Sequence, residues 1–323
     1  MKNYFSGPFS DLLNEFVQFK RNTGFKYEKE SHYLKQFSEF TLSQGITDPV
    51  LSKNLAEAWC NKKPFENQRN CTEQRISCLR QFALYLGSLG YDAYVPIHID
   101  NKRSRRSKYV AYVFTHQEIS AIISCSDKIY PHRRSTMHLV MPILVRLLYC
   151  TGLRINEALK LQLAHVDLVN GILRIEHAKF DKDRLIPLSP SMRNVLEQYC
   201  EMLHPLYLPN DYLFIGIARE PYSHHAIYYR FRELLQQAGI PHAGRGNGPR
   251  IHDIRHTFCC HTLQKSVADD VDLNAVLPIL SVYLGHESIA ATSQYLKMTA
   301  EVYPAVMEAV NSVCSFVIPV VNK

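Results

Sequence analysis

The chain has 323 residues, 46% hydrophobic and 21% charged, which excludes a disordered polar chain and exceeds one ordinary domain while suiting two. A net charge of +7 favours a polyanionic partner over an acidic one. Nine scattered cysteines form no disulfide framework, no stretch approaches the roughly 20 apolar residues of a membrane span, and the first residues lack a signal peptide's apolar run, so a cytoplasmic, soluble protein is expected.

The first hundred residues read as helices. Phe9, Leu12, Leu13, Phe16 and Phe19 form one apolar stripe, and Leu34, Phe37, Phe40 and Leu42 a second that stops before Gly45. Leu55, Ala56 and Trp59 mark a short third helix; Ile76, Leu79, Ala83 and Leu86 mark a fourth that ends near Gly87 or Gly90. A four-helix domain over 1–98 follows, with Arg69, Arg75 and Arg80 placed off the last stripe. On the residues alone, these arginines are either phosphate contacts or a solvated helix face.

Residues 99–113 carry Lys102, Arg103, Arg105, Arg106 and Lys108 without an apolar period, so they read as a basic linker, either a strap against a phosphate backbone or a plain tether. Thr115 and Glu118 then have capping-box spacing, and a second domain over 114–323 begins there. Met141 to Cys150 is an apolar helix that Gly152 can terminate. Arg154 stands at the junction with the next helix, Ile155 to Leu163. Val166 to Val169, an Asn170-Gly171 tight turn and Ile172 to Ile175 predict a hairpin, and Arg184 to Leu188 a third strand. Lys179 falls at the second hairpin tip. The rest is mostly helical, with a loop of Gly244, Gly246, Gly248 and Pro249 before His252. The fold class expected is mainly α with a small antiparallel β-sheet: a helical N-terminal domain and an α+β second domain.

Three segments carry chemistry: Thr151-Gly152-Leu153-Arg154, His252-Asp253-Ile254-Arg255-His256, and Leu284-Gly285-His286 followed by Tyr295. In this order, with the tyrosine nine residues beyond the last histidine, they resemble the tyrosine recombinase (phage integrase) family. The likeness covers the second domain from Thr115 on; the first domain is similar only as a small helical DNA clamp. What the resemblance implies is an enzyme that cleaves and rejoins DNA through a 3′-phosphotyrosine on Tyr295 and passes through a Holliday junction. It needs no metal and no cofactor.

The residue types suit that chemistry. A tyrosine hydroxyl, with pKa about 10, is activated more readily than an aliphatic alcohol, and its ester can be attacked in reverse. Guanidiniums meet the charge on non-bridging oxygens with planar, bidentate geometry; by resemblance Arg154 and Arg255 take that role. His252 and His286 donate to the same oxygens or move the tyrosine proton, and the sequence leaves both roles open. Lys179 matches the family's hairpin lysine that protonates the departing 5′ oxygen, with Lys182 as its competitor. The implied partners are double-stranded DNA with an inverted-repeat core site and three further copies of the chain in a synaptic tetramer, the free chain being monomeric. No membrane is implied.

Two other classes fit parts of the pattern. His252 and His256 have the i, i+4 spacing of a zinc helix, with Cys259, Cys260 and His261 behind, but Asp253 stands where the metalloprotease motif has Glu. A DNA-binding relative without activity would have lost one of Arg154, Lys179, His252, Arg255, His286 or Tyr295, all of which are present. Within the family, the long stretch Val267 to Ser281 leans toward the integrase or transposase of a mobile element, with a Xer-like dimer resolvase as the alternative. The apolar stripe Val306, Val310, Val313 and Val317 reads as a tail helix that packs on its own domain or docks on a neighbouring subunit.

Overall fold

The computed structural model describes residues 4–61, 69–97, 111–176, 183–206, 208–242, 244, 248–285, 292 and 295. The chain divides into two compact units, Met1–Ser107 and Lys108–Lys323. No helix among the described residues is long and apolar enough to cross a membrane.

The first unit holds α1 (Ser10–Asn22), α2 (Glu28–Ser43), α3 (Lys53–Cys60) and α4 (Arg69–Ser88). Its interior is aromatic. Phe9 meets Phe37 at 5.4 Å, Phe16 meets Phe82 at 5.4 Å, and Phe37 meets the indole of Trp59 at 5.2 Å, all in tilted or edge-on contacts. Each such ring removed from water contributes about 1.5–3 kcal/mol. Ser52 caps α3 by accepting the Leu55 N–H at 3.3 Å, and the Tyr94 N–H closes the unit on the Leu51 carbonyl at 2.9 Å.

Three expectations change here. Phe19 and Leu42 are exposed rather than core, Phe19 lying along the surface against Tyr85. Arg75 is only 2% exposed, so it is neither a solvated residue nor a phosphate contact. The helical period explains this: Arg75, Leu79, Phe82 and Leu86 follow i, i+4, i+7 and i+11, which puts Arg75 on the buried stripe. There its Nη2 donates to the Asn61 carbonyl at 3.3 Å and its guanidinium lies 6.0 Å from the Trp59 ring. Arg80 is half-buried and donates to the Pro96 carbonyl at 3.1 Å. Arg69 opens α4. Lys102, Arg103, Arg105, Arg106 and Lys108 lie outside the described residues, as does the tail stripe from Val306 to Val317.

The second unit begins with α5 (His116–Asp127), where the capping box forms as its spacing predicts: Thr115 Oγ1 accepts the Glu118 N–H at 3.1 Å and Glu118 accepts the Thr115 N–H at 2.7 Å. α6 (Met137–Thr151) is buried along most of its length and forms the centre of the core, with α5, α8 (Pro190–Leu203) and α10 (Asp253–Ala268) packed on it; its solvent side carries Arg146, paired with Asp127 at 2.6 Å. The buried Phe114 N–H donates to Thr257 Oγ1 at 3.0 Å, anchoring the segment that leads into α5 on α10. Further helices among the described residues are α9 (His224–Gln237) and α11 (Leu273–Leu284).

α7 (Ile155–Leu159) stops four residues short of the expected Leu163. Tertiary pairing outweighs helix propensity there: the Leu163 and Ala164 N–H groups donate to the carbonyls of Asp211 and Pro209, and Leu213 donates to Leu161. The sheet is antiparallel in the order β1 (Val166–Asp167), β2 (Ile172–Ile175), β3 (Arg184–Pro187). Its first loop is not the two-residue turn expected at Asn170-Gly171. Asp167 pairs with Ile172 across four intervening residues; its carboxylate accepts the Asn170 backbone N–H at 2.9 Å, and only Gly171 takes a positive φ, of 66°. In β3, Arg184 and Ile186 turn inward while Leu185 is exposed.

Candidate active site

α6 ends at Gly152, whose φ is 60° and on which a Cβ would stand 2.4 Å from Phe258 Cδ1. Both the left-handed backbone and the missing side chain are required. The reversal that follows sets Arg154 as the N-cap of α7. Glu157, three residues on, accepts the Arg154 backbone N–H at 2.9 Å and Arg154 Nη1 at 2.8 Å. Arg154 Nη2 reaches across to the Gly285 carbonyl at 3.2 Å, and the side chain keeps 23% of its surface in solvent.

Arg255, in the first turn of α10, is buried and joins the same place from the other side. Its Nη1 donates to the Gly152 carbonyl at 2.7 Å and its Nη2 to the Leu284 carbonyl at 2.8 Å. Thus the two arginines bind the ends of α6 and α11, which are distant in sequence, into one floor. Burial and then the neighbouring Arg154 charge lower the pKa of Arg255.

His252 is the N-cap residue of α10 beside them, and it is exposed. Desolvation, then the Arg255 and Arg154 guanidiniums, push its pKa down to about 4, so the imidazole is neutral at pH 7. A bound phosphate would oppose both guanidiniums and favour the imidazolium. Asp253 is fully buried, and its Oδ2 accepts the Arg250 N–H at 2.7 Å, which fixes the turn presenting His252.

Tyr295 is 5% exposed. Its hydroxyl hydrogen-bonds with the side chains of Cys259 and Arg255, and its ring lies 5.5 Å from that of His256. Burial, with the Cys259 thiol beside it, raises the phenol's pKa. Ionisation therefore depends on cationic neighbours or on proton transfer during attack. Of the expected set, the structure brings Arg154, His252, Arg255 and Tyr295 together. Lys179, its competitor Lys182, and His286 lie outside the described residues.

His252 and His256 stand edge to face at 5.0 Å, and among the described residues no group of three His, Cys, Asp or Glu side chains is placed to hold a metal. Sequence reasoning missed Arg184 and underrated Glu157, which reads as a surface partner of Arg154. The Glu157 side chain is 8% exposed and that of Arg184 9%; Arg184 Nη2 donates to Glu157 at 2.8 Å and Nη1 at 3.2 Å. The signal was the period-2 alternation of β3, which turns every second residue inward.

A model of the phage integrase family matches residues 112–301, more than half of the chain. An integrase/recombinase of Sinorhizobium fredii is 29% identical over 309 residues, covering 93% of this chain and 96% of that protein. Two solved structures share the fold. One is the XerH site-specific recombinase bound to a palindromic difH substrate, with TM-score 0.62, 20% identity, and 93% and 83% of the two chains covered. The other is a lambda integrase tetramer bound to a Holliday junction, with TM-score 0.59, 17% identity, and 88% and 76% covered. With its arginines, histidine and tyrosine gathered at the ends of α6, α10 and α11, the chain belongs to the phage integrase family, the tyrosine recombinases.

Proposed function

We propose that the chain is a site-specific DNA recombinase whose nucleophile is Tyr295. The observation that carries this reading is the convergence of Tyr295 with Arg154, Arg255 and His252 at one place. The phenol oxygen attacks the scissile phosphorus, the bond to the 5′ oxygen breaks, and a 3′-phosphotyrosine ester forms. Arg154 and Arg255 meet the charge on the non-bridging oxygens. His252, neutral before DNA binds, accepts the phenol proton or donates to an oxygen. By family likeness, Lys179 gives the leaving 5′ oxygen its proton and His286 adds a further donor. The liberated 5′ hydroxyl of a partner strand then attacks the ester in reverse, so no bond energy is lost to water.

The substrate is a duplex with inverted half-sites, as in the palindromic substrate of XerH, and the working assembly is a tetramer that passes through a Holliday junction, as with lambda integrase. The Arg69, Arg80 and 99–113 cations supply backbone contacts. The biological role is integration or transposition of a mobile element, carried out in the cytoplasm on the bacterial nucleoid. The alternative is a Xer-type role, the resolution of dimeric replicons.

The test is a nicked suicide duplex built on the site recovered by selection from a random DNA pool. The wild-type chain should form a covalent adduct without added metal and Tyr295→Phe none. An adduct with Tyr295→Phe, or one that requires magnesium, would refute the mechanism. The half-site spacing recovered in the selection separates resolvase from integrase.

A further inference from the structure

Arg184 has no place in the mechanism above, yet it is nearly as buried as the carboxylate it holds. It opens β3 and makes contacts in three directions. Both terminal nitrogens grip the Glu157 carboxylate. Its Nε donates to the Tyr283 carbonyl at 2.9 Å, in the last turn of α11. Its Nη1 would lie 3.3 Å from a Cβ on Gly285, so the guanidinium occupies the space that glycine leaves.

The charges give this arrangement its meaning. Glu157 also binds Arg154, the guanidinium that must meet the phosphate. One carboxylate facing one arginine makes a neutral pair, which draws the guanidinium toward the protein and away from a substrate anion. A second arginine on the same carboxylate restores a net positive charge to the group. We propose that Arg184 is a positioning residue for strand cleavage: it holds Glu157 so that Arg154 keeps its charge for the scissile phosphate, and it ties the Tyr283–Gly285 turn to β3. This rests on the reading of the chain as a tyrosine recombinase.

The experiment measures single-turnover covalent cleavage of the nicked duplex by the full chain, with duplex binding and thermal unfolding followed in parallel. Two substrates are compared, one with the native phosphate and one with a methylphosphonate at the cut, which lacks one charged oxygen. Arg184→Met should slow cleavage of the phosphate about 100-fold, the scale of removing one preorganised donor, while binding holds. The defect should shrink at least about tenfold on the methylphosphonate. Adding Glu157→Gln to Arg184→Met should restore about tenfold or more on the phosphate, since the carboxylate no longer competes for Arg154.

A merely structural Arg184 predicts equal defects on both substrates and a double variant no faster than the single; either result overturns the proposal. If Arg184→Met does not fold, Arg184→Gln, which keeps polar donors but no charge, with and without Glu157→Gln decides the matter by the same two comparisons. Failure of the wild-type chain to form any adduct is a different result: it refutes the recombinase reading itself, and the proposal with it.

Discussion

Gly152→Ala is the substitution whose cost the structure defines most closely. The new methyl meets two separate penalties. At φ 60° an alanine sits in the left-handed region, costing roughly 1–2 kcal/mol. The Cβ also falls 2.4 Å from Phe258 Cδ1 and 2.8 Å from Cε1, closer than atoms tolerate. Phe258 cannot simply swing aside, because its ring also stacks on Tyr283 at 5.9 Å. Overpacking of this kind costs about 1–3 kcal/mol. The sum, roughly 2–5 kcal/mol, is a large part of the ~5–15 kcal/mol that holds an ordinary domain together. At about 2–4 °C per kcal/mol for a unit of this size, the melting temperature should fall by roughly 10 °C. Because the Gly152 carbonyl also anchors Arg255 at 2.7 Å, cleavage should drop more than DNA binding. Differential scanning calorimetry of Gly152→Ala, Phe258→Leu and the double variant separates the penalties: the smaller side chain should relieve the clash but not the backbone strain. A Gly152→Ala chain that melts within about 2 °C of wild type would refute the argument.

The buried Glu157 gives a pH dependence of known sign. Burial alone would raise its pKa, but the Arg184 and Arg154 hydrogen bonds and charge bring it down from 4.5 to about 2, so its stabilisation is present above about pH 4.5 and is lost as pH falls through 2. Urea titrations of wild type and Glu157→Gln should therefore differ by on the order of 3 kcal/mol at pH 7 and converge toward pH 2; a constant gap would show the carboxylate to be unpaired. Arg75→Ala should destabilise the chain by about 2–4 kcal/mol through lost packing on Trp59 and the Asn61 carbonyl, while leaving the salt dependence of DNA affinity unchanged; a flatter salt slope would return Arg75 to the phosphate contacts.

Much of this molecule is local in origin and so legible along the chain. The capping box of α5, the glycine stop of α6 and the mainly α plan with three short strands all follow from period, caps and turns within a few residues. The motif arginines, His252 and Tyr295 stood out because their order and spacing resemble those of the tyrosine recombinases. What stayed hidden depends on partners far away in sequence. α7 stops early because residues 209–213 take its place in the backbone pairing. Arg75 was misplaced by reading a charge as a surface signal when the 3.6-residue period put it with Leu79 and Phe82.

Glu157 and Arg184 show the same limit inside the site. Twenty-seven residues separate them, and nothing between them announces a pair. Buried charge is costly unless matched, so a buried arginine on a strand must have a carboxylate somewhere near, but sequence alone does not say which. In the floor Glu157 is shared by Arg154 and Arg184, while Arg255 donates to the Gly152 and Leu284 carbonyls. A site organised this way keeps net positive charge in a partly desolvated place, which is unfavourable for the free protein and favourable once a phosphate enters. That imbalance is the physical link between a fold assembled from distant segments and a reaction in which charge develops on phosphate oxygens.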